Sequence, residues 1–384
     1  MTSSSPTGLS TSELLRYARH LTLPQVGVAG QLKLRASRLL LVGAGGLGSP
    51  VALYLAAAGV GTIGIIDPDR VDRSNLQRQV LHGTSSIGEL KTRSAERRLR
   101  DLNPEVRIER IEVALSSANA LELVSRYDLV LDGSDNFPTR YLVNDACVLT
   151  GKPYIYGSIF RFDGQVSVFA APGGPCYRCL YAEPPAANLI PTCAESGVLG
   201  VVPGIIGSLQ ALEAIKWITG IGQPLFGRLL LFEGLGLTIR ELRVQPDPSC
   251  VACGSRTLTE LIDYQQFCGA VPQEPGEGEI VPADLARTLG SGPRNDAVVL
   301  LDVREAWERE IAMIGDSVHI PLSRLGDKLA EIDPRKLVIT YCHRGSRAVS
   351  AREILLAAGF REVKSLAGGI DGWAEQQDSA MKRY

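Results

Sequence analysis

Two pairs of cysteines in the 384-residue chain have the spacing of metal ligands. Cys176 and Cys179 form one Cys-x-x-Cys motif, and Cys250 and Cys253 form another farther along the chain. Structural zinc sites often use four thiolates with short spacing within each pair. The duplicated motif therefore predicts a structural Zn²⁺ site, while a redox dithiol or unrelated free thiols are the alternatives for either pair.

Cys342 stands alone, but its setting suits a reactive thiol. It opens the segment Cys342-His343-Arg344-Gly345-Ser346-Arg347, which follows an apolar run and precedes a helical pattern. Such a loop surrounds the thiol with backbone amides at the positive end of a helix, and Arg344 and Arg347 add positive charge. We expect these groups to lower the pKa of Cys342 and to stabilise a thiolate or persulfide.

The other single cysteines have less informative surroundings. Cys193 lies in the polar segment Pro191-Thr192-Cys193-Ala194-Glu195, which is typical of a loop. Cys147 falls on the apolar face of a predicted helix, and a lone cysteine is most often a buried filler. We interpret Cys147 and Cys268 in that way.

A glycine-rich turn marks a candidate nucleotide site. Gly43-Ala44-Gly45-Gly46-Leu47-Gly48 follows an apolar run at residues 38–42 and precedes a helical pattern. Glycines allow a phosphate to approach the backbone at the helix N-terminus, where the helix dipole favours negative charge. Asp67 ends the next strand, where a carboxylate can hold ribose hydroxyls. An NAD-dependent oxidoreductase would fit these features equally well.

The polar segments that follow favour transfer of a nucleotidyl group. They are Asp69, Ser74-Asn75-Leu76-Gln77-Arg78-Gln79, Lys91 and Ser134-Asp135-Asn136. At these residues the chain resembles the ThiF and MoeB family of ubiquitin-activating-type adenylyltransferases, from about residue 16 to residue 253. Cations and Mg²⁺ offset the charge that builds when a carboxylate attacks the α-phosphate of ATP, whereas hydride transfer needs no such cluster.

The resemblance implies roles for individual residues. Asp67 would bind the ribose of ATP, Asn75, Arg78 and Lys91 would hold the phosphates, and Asp135 would hold the accompanying Mg²⁺. The implied nucleotide-binding set is Gly43, Gly45, Gly46, Gly48, Asp67, Asp69, Ser74, Asn75, Leu76, Gln77, Arg78, Lys91, Asp135 and Asn136.

Three further expectations rest on the same resemblance. Arg19 matches an arginine that family members receive from the other subunit of a homodimer. Cys193 matches a cysteine that can bond covalently to the activated carrier. The two cysteine pairs match a zinc clasp that lies away from the chemistry.

The segment around Cys342 resembles the active-site loop of rhodaneses, with His343, Arg344, Gly345, Ser346 and Arg347 forming the persulfide loop. Supporting matches are Leu301-Asp302-Val303-Arg304-Glu305 and Gly368-Gly369-Ile370-Asp371-Gly372-Trp373, so the resemblance covers about residues 280–384. Cysteine phosphatases use a similar loop with one more residue, and the shorter loop here favours sulfur. Some rhodanese-like domains lack the cysteine and only bind partners; the presence of Cys342 favours an active sulfurtransferase.

The elements that must position these residues alternate between strands and helices. Strands are predicted at residues 38–42, 62–66, 106–113, 129–131, 154–158, 165–170, 228–232 and 237–243, and helices at 91–102, 118–125, 138–149 and 205–218. The alternation predicts an α/β fold, with a Rossmann-like domain and a mainly parallel sheet at residues 12–270.

A smaller α/β rhodanese domain is expected at residues 283–384. Its predicted strands are residues 298–301 and 337–341, and its predicted helices are residues 322–331 and 346–358. Prolines and glycines mark residues 271–282 as a linker. Residues 1–11 are rich in Ser and Thr and are expected to be disordered.

Composition excludes several classes of protein. The chain has 40 basic and 42 acidic residues, which argues against a general nucleic-acid binder. The least polar stretch, residues 197–212, contains Pro203, Gly204 and Gly207 and is interpreted as buried protein too short to span a membrane. The N-terminal residues lack a signal or transit pattern, so a cytoplasmic protein is expected.

Together these features predict a two-step enzyme. ATP would adenylylate the C-terminal glycine of a ubiquitin-like sulfur carrier that ends in Gly-Gly. A persulfide on Cys342, loaded by a cysteine desulfurase or another donor, would then convert the adenylate into a thiocarboxylate. Fused proteins of this kind serve molybdopterin synthase and, in some organisms, tRNA thiolation; thiamine synthesis and other sulfur pathways use similar carriers. The alternatives are a noncatalytic carrier-binding scaffold and an NAD-dependent oxidoreductase.

Overall fold

The computed structural model describes residues 8–185, 196–269, 276–290 and 297–384. By its internal contacts the chain divides into two compact units, residues 1–270 and 271–384. Each unit has its own sheet and its own apolar core.

The first unit is built on an eight-stranded sheet. In spatial order its strands are β3 (Arg107–Ile111), β2 (Thr62–Ile66), β1 (Arg38–Val42), β4 (Leu129–Asp132), β5 (Tyr154–Phe160), β6 (Asp163–Phe169), β7 (Arg228–Glu233) and β8 (Thr238–Arg243). The strands from β3 to β5 pair in parallel, and those from β5 to β8 pair antiparallel. The predicted Rossmann-like α/β fold with a mainly parallel sheet is confirmed.

Helices cover both faces of this sheet. They are α1 (Thr11–Arg16), α2 (Ala18–Leu21), α3 (Gly27–Ala36), α4 (Gly48–Ala57), α5 (Lys91–Leu102), α6 (Ala120–Ser125), α7 (Phe137–Thr150), α8 (Tyr177–Leu180), α9 (Val201–Thr219) and α10 (Tyr264–Phe267). Successive side chains of a strand point to opposite faces, so Leu39 and Leu41 of β1 join the core under α4 and α9, whereas Leu40 and Val42 join the core under α6 and α7. β1 is therefore apolar along its whole length.

The helix α9 is longer than the sequence pattern indicates. It begins at Val201 and has 19 residues, so by length and composition alone it could cross a membrane. The expectation that this apolar stretch is too short to span is therefore wrong. In the structure α9 packs against β5, β6 and α4, with Ile206 and Gln210 fully buried.

The second unit contains a five-stranded parallel sheet. Its strands, in spatial order, are β11 (Val318–His319), β10 (Val298–Asp302), β12 (Leu337–Tyr341), β13 (Val363–Leu366) and β9 (Glu279–Ile280). Its helices are α11 (Pro282–Leu289), α12 (Ala306–Ile311), α13 (Ser346–Ala357) and α14 (Gly369–Gln376). The predicted α/β fold of this unit is confirmed.

Three expectations differ from the structure. Leu9 is buried and Ser10 caps α1 in a reciprocal capping box with Glu13, so the last of residues 1–11 are ordered. β9 falls within the predicted linker, residues 271–282. The predicted helix at residues 322–331 is two short 3₁₀ helices, Leu322–Asp327 and Leu329–Glu331, because Gly326 disfavours a continuous α-helix.

Candidate active sites and metal centre

The glycine turn between β1 and α4 depends on close backbone approach. Gly43 has φ +92°, a conformation that residues with a side chain rarely adopt. A Cβ atom on Gly48 would collide with the carbonyl oxygen of Gly43, and one on Gly133 would lie 2.9 Å from the carbonyl oxygen of Val42. Gly133 follows β4, which is the neighbour of β1, and the sequence analysis missed it because no motif includes it.

Asp67 fastens the glycine turn from the end of β2. Its Oδ2 atom accepts a hydrogen bond from the Ala44 amide at 2.8 Å, and its Oδ1 atom accepts one from the Asp69 amide at 2.9 Å. The side chain is buried, and burial raises the pKa of Asp67 although the charge of Lys91 opposes that rise. A buried carboxylate thus lies at the carboxyl edge of the sheet, where ligands bind in open α/β folds.

Lys91 brings a cation to the same edge. It is the first residue of α5, and only 6% of it is exposed. Its Nζ atom lies 2.7 Å from Oδ2 of Asp69 and 3.8 Å from Oδ2 of Asp67. The Asp69 side chain is 64% exposed, so Lys91 connects a buried carboxylate with an accessible one.

The segment at residues 74–79 passes beside the glycine turn. Asp72 caps a 3₁₀ turn there, and Asn75 accepts backbone hydrogen bonds from Arg78 and Gln79. A Cβ atom on Gly46 would lie 3.5 Å from Cγ of Arg78. The Arg78 guanidinium donates to the carbonyl oxygen of Ser74 at 3.1 Å and is partly exposed. Leu76 is partly exposed and Gln77 is exposed; neither side chain adds a charge.

The end of β4 and the residues after it supply further polar side chains to the site. Asp135 is exposed, and Asn136 caps α7 by accepting a hydrogen bond from the Thr139 amide at 2.9 Å. Asp132, which the sequence analysis missed, is fully buried; its Oδ1 atom accepts from the amide and hydroxyl of Ser134. Its Oδ2 atom has no hydrogen-bond partner among the residues that the structure describes, and burial raises the pKa of Asp132.

His82 is a third residue of this site that the sequence motifs do not identify. Its Nε2 atom lies 2.9 Å from the carbonyl oxygen of Ala44, and its Nδ1 atom lies 3.0 Å from Oγ of Ser94. A carbonyl oxygen only accepts hydrogen bonds, so Nε2 carries the proton and Nδ1 accepts from Ser94. Burial lowers the pKa of His82, which favours this neutral form. His82 therefore connects the glycine turn to α5, the helix that begins with Lys91.

Two predicted residues are not brought into this site by the described chain. Arg19 lies exposed on α2, and its side chain makes no hydrogen bond or ion pair with any residue that the structure describes. The family resemblance implies a role for Arg19 only if a second subunit is present. Cys193 lies outside the described residues.

The two Cys-x-x-Cys motifs converge on one point. The Sγ atoms of Cys176, Cys179, Cys250 and Cys253 all lie within 4.8 Å of one another. Three of their separations are 3.5 Å (Cys176 to Cys250), 3.3 Å (Cys179 to Cys253) and 4.0 Å (Cys176 to Cys179). A zinc tetrahedron with Zn–S bonds of about 2.3 Å has S···S edges of roughly 3.8 Å, so the four thiols fit a structural Zn²⁺ site.

The cysteine cluster is joined to the core of the first unit. Arg178, which lies between the two cysteines of the first pair, forms two hydrogen bonds of 2.8 Å with Asp145 of α7. Asp145 also accepts a hydrogen bond from the hydroxyl of Tyr264 in α10 at 2.7 Å. All three side chains are buried, so the cluster, α7 and α10 are held by one polar network.

In the second unit, Cys342 lies at the end of β12 and is 1% exposed. Its Sγ atom accepts a hydrogen bond from the amide of Gly345 at 3.1 Å. Gly345 has φ +114°, which allows the loop to turn back over the thiol before α13 begins. The amide of Ile370 in α14 donates to the carbonyl oxygen of Cys342 at 2.8 Å, and a Cβ atom on Gly369 would collide with that oxygen.

The expected lowering of the Cys342 pKa is wrong for the thiol in this structure. Burial raises the pKa of Cys342, and this effect exceeds the opposing contributions of the Ala348 amide, the charge of Arg347 and the amides of Gly345 and Arg344. The loop sequence indicates the amides and arginines that favour a thiolate, but it does not indicate how much water the folded chain excludes from the thiol. The Arg347 guanidinium is also engaged by Glu308 at 2.7 and 2.8 Å.

Glu308 and Tyr384 are further residues of this site that no motif identifies. Glu308 is buried; although burial acts to raise its pKa, hydrogen bonds from Arg347, the Glu305 amide and Tyr384 lower it to about 2. Tyr384 also stacks on the ring of His343. Arg344 is 45% exposed, and its Nε atom lies 3.6 Å from Oδ2 of Asp371. Ser346 is the first residue of α13.

Comparison with known proteins identifies the family of each unit. Residues 17–252 match the model of the ThiF family, and residues 282–376 match that of the rhodanese-like domain. The chain is 46% identical, over 98% of its length and 96% of the relative, to the probable adenylyltransferase/sulfurtransferase MoeZ of Mycobacterium tuberculosis. It is 54% identical, over 67% of its length and 97% of the relative, to the sulfur carrier protein adenylyltransferase of Thermus thermophilus.

A solved structure is similar in fold to part of this chain. E. coli MccB, crystallised with AMPCPP and MccA, is 25% identical with a TM-score of 0.55, over 62% of this chain and 74% of that one. The matches confirm the predicted family and the predicted pairing of adenylyltransferase with sulfurtransferase, and they do not favour an oxidoreductase. The chain belongs to the ThiF family and carries a rhodanese-like domain after its ThiF domain.

Proposed function

We propose that this enzyme activates the C-terminal glycine of a ubiquitin-like sulfur carrier with ATP and then converts the activated carboxylate into a thiocarboxylate. The observation that carries the first half is the position of Lys91, whose ammonium lies between Asp67 and Asp69 at the edge where Asp67 fastens the glycine turn. The Thermus relative is named for adenylyl transfer to a sulfur carrier protein, which supports the choice of substrate.

In the first step, the carrier carboxylate attacks the α-phosphorus of ATP. A bond forms between the carboxylate oxygen and phosphorus, the bond to the pyrophosphate oxygen breaks, and pyrophosphate leaves with the electron pair. Lys91 and Arg78 would offset the negative charge on the phosphates, while Asp67 would orient the ribose. Asn75 and the amides of the glycine turn would complete the phosphate site.

Mg²⁺ would enter with ATP and neutralise part of the charge that builds on its phosphates. Two carboxylates are suited to such a cation: that of Asp135, which is exposed, and that of buried Asp132, whose Oδ2 atom has no partner within the described part of the chain. The four-thiol cluster would hold Zn²⁺ as a structural ion. We assign it no part in the reaction.

In the second step, a persulfide on Cys342 attacks the carbonyl carbon of the acyl-adenylate. A carbon–sulfur bond forms and AMP leaves, which gives an acyl disulfide between the carrier and Cys342. A thiolate then attacks Sγ of Cys342, so that the thiocarboxylate leaves with the electron pair and a new disulfide forms. Cys193 is a candidate for that thiol; a cellular thiol reductant would restore the free cysteines.

Two partners complete the proposal. A cysteine desulfurase, or another persulfide donor, would load Cys342. A second copy of the chain would supply Arg19 to the nucleotide site, because Arg19 has no partner within the described part of its own chain. Homodimer formation is thus part of the proposed function. The molybdopterin, thiamine and tRNA thiolation carriers are all candidate substrates.

The test is the intact mass of candidate carriers after incubation with the enzyme, Mg-ATP and a persulfide source. We expect one carrier to gain the mass difference between sulfur and oxygen with the wild type. With Cys342→Ala it should stop at the adenylate, and with Lys91→Ala it should remain unmodified. Failure of every Gly-Gly carrier to form an adenylate with the wild type would refute the assignment.

A further inference from the structure

The residues at the end of the chain pack against the Cys342 loop. The ring of Tyr384 stacks on the imidazole of His343 with 4.3 Å between the ring centroids and an interplanar angle of 8°. His343 follows Cys342 directly and is only 4% exposed. Tyr384 therefore covers the first residue after the thiol, and its contact limits the positions that the His343 ring can occupy.

The hydroxyl of Tyr384 reaches the other end of the same loop through Glu308. It donates a hydrogen bond to Oε1 of Glu308 at 2.8 Å and accepts one from Nη1 of Arg304 at 2.9 Å. Glu308 in turn holds both terminal nitrogens of Arg347, at 2.7 and 2.8 Å. Arg347 is the last residue of the loop, and its charge acts directly on the Cys342 thiol.

Arg383 anchors this terminal segment. Its guanidinium forms two hydrogen bonds with Asp371, of 2.7 and 3.1 Å. The amide of Asp371 donates to the carbonyl oxygen of His343 at 3.0 Å. Asp371 thus contacts the loop through its backbone amide and holds Arg383, the residue before Tyr384, through its carboxylate. Tyr384 is therefore held in position by more than its own contacts.

We propose that Tyr384 is a positioning residue for sulfur transfer at Cys342: its ring fixes His343 at the start of the loop, and its hydroxyl, through Glu308, fixes Arg347 at the end. This inference rests on the proposed role of Cys342. Tyr384 makes no bond to sulfur itself. Its hydroxyl helps to neutralise the Glu308 carboxylate, so less of the Arg347 charge is offset by Glu308 and more of it acts on the sulfur anion.

The test uses the full-length protein with thiosulfate as the sulfur donor and cyanide as the acceptor. The Cys342 thiolate attacks the outer sulfur of thiosulfate, a sulfur–sulfur bond forms, and sulfite leaves with the electron pair of the broken bond. Cyanide then attacks the outer sulfur, which gives thiocyanate and restores the thiolate. The formation of thiocyanate is followed across the pH range to obtain kcat and the KM for thiosulfate.

Tyr384→Phe retains the stacking ring and removes only the hydroxyl, so it leaves folding least affected. We expect its kcat to fall by about 3- to 10-fold, with the KM for thiosulfate unchanged, because loss of precise positioning affects turnover more than binding. The acid limb of the plot of its kcat against pH should move to higher pH, because less of the Arg347 charge then acts on the sulfur anion. Lys382→Ala, at an exposed neighbour of the same segment, should match the wild type.

A second variant gives a shift of opposite sign. Glu308→Gln removes the carboxylate that engages Arg347, so its acid limb should move to lower pH. The proposal is overturned if Tyr384→Phe has the kcat and pH profile of the wild type, or if its kcat falls while the profile stays in place, which would indicate a structural role only. Full turnover by Cys342→Ala would instead refute the role of Cys342 itself, so the two failures are distinguishable.

Discussion

The Nζ atom of Lys91 lies 2.7 Å from the Asp69 carboxylate, which is largely exposed, and 3.8 Å from that of Asp67, which is buried. Two carboxylates therefore share one cation at the carboxyl edge of the sheet. Because Asp69 is accessible to water, a phosphate group can replace it as the partner of Lys91 without exposing an unpaired buried charge. Asp67 and Asp69 thus provide ion-pair partners for an ammonium group that is almost fully buried.

Replacing Lys91 with alanine tests this arrangement. We expect Lys91→Ala to reduce carrier-dependent exchange of pyrophosphate into ATP by roughly 10²- to 10³-fold, the loss typical for a group that stabilises charge in the transition state. Lys364→Ala, at an exposed lysine on β13, is the control and should retain the wild-type rate. An exchange rate in Lys91→Ala within about threefold of the control would contradict the role of Lys91 in transition-state stabilisation.

Asp67→Asn tests the buried carboxylate. The substitution places an amide nitrogen against the Ala44 or Asp69 amide, where only an acceptor fits, so we expect the KM for ATP to rise by about 10-fold or more. Burial raises the pKa of Asp67. As the pH is lowered, the rate of pyrophosphate exchange by the wild type should therefore begin to fall at a higher pH than it would if the site contained an ordinary carboxyl group.

The Asn variant should lack that acid limb, because it has no proton to gain at this position. Both effects are measured together by recording pyrophosphate exchange against ATP concentration at a series of pH values. An unchanged KM and an unchanged acid limb would place Asp67 outside the nucleotide site.

Metal analysis tests the cysteine cluster. We expect one zinc ion per chain in the wild type and a large loss of zinc in Cys250→Ser, whereas Cys147→Ala, at a buried cysteine outside the cluster, should retain its zinc. Loss of a structural ion should also lower the melting temperature of Cys250→Ser by at least about 5 °C. The reason is that a loss of about 1 kcal/mol in the free energy of unfolding lowers Tm by roughly 2–4 °C in a folded domain of this size. Equal zinc content in the two variants would exclude the four-thiol site.

Glu308 predicts a specific dependence of stability on pH. Its pKa of about 2 lies below the ordinary value of 4.5, so its contribution to stability is fully present above pH 4.5 and is lost as the pH falls towards 2. The difference corresponds to about 3 kcal/mol. Glu308→Gln should lose this contribution at neutral pH and show a weaker decline between pH 4.5 and 2.

The measurement is denaturant unfolding of the full chain in a Trp217→Phe background, followed by the fluorescence of Trp307 and Trp373, which lie in the second unit. Glu331→Gln, at an exposed glutamate paired with Lys328, is the control and should behave as the wild type. Parallel stability curves for Glu308→Gln and the wild type between pH 4.5 and 2 would show that the Glu308 network is not formed in solution.

The main strands could be predicted because their sequence signal is local. β1, β2 and β12 are short apolar runs between polar segments, and their predicted bounds are those of the structure. β9 and β11 contain only two residues each, too few for a period of two to be visible. At residues 322–331, the apolar residues have helical spacing and predict an α-helix, but Gly326 disfavours one and a 3₁₀ helix forms instead.

The residues of the sites could be predicted where they belong to recognisable sequence motifs. The glycine turn, Asp67, Lys91, the cysteine pairs and the Cys342 loop are all short motifs with strong chemical preferences. His82, Glu308 and Tyr384 are single residues with partners distant in the sequence, and no periodicity connects them to those partners. Asp132 accepts hydrogen bonds from nearby Ser134, but it belongs to none of the motifs. The pKa of Cys342 depends on how much water the folded chain excludes, which the loop sequence alone does not contain.

The contacts of Gly43, Gly48 and Gly133 have a consequence for how much this chain can vary. Each of these positions is closed to a side chain by backbone atoms, which cannot move aside without displacing β1, β4 or the start of α4. In a library of all single substitutions, we expect these three positions to tolerate almost no replacement, as little as Lys91 does. Variants of the three glycines would fail because the backbone geometry of the turn is lost, whereas variants of Lys91 would fail because a positive charge is lost. Measuring both ATP binding and folding for each variant would separate the two causes.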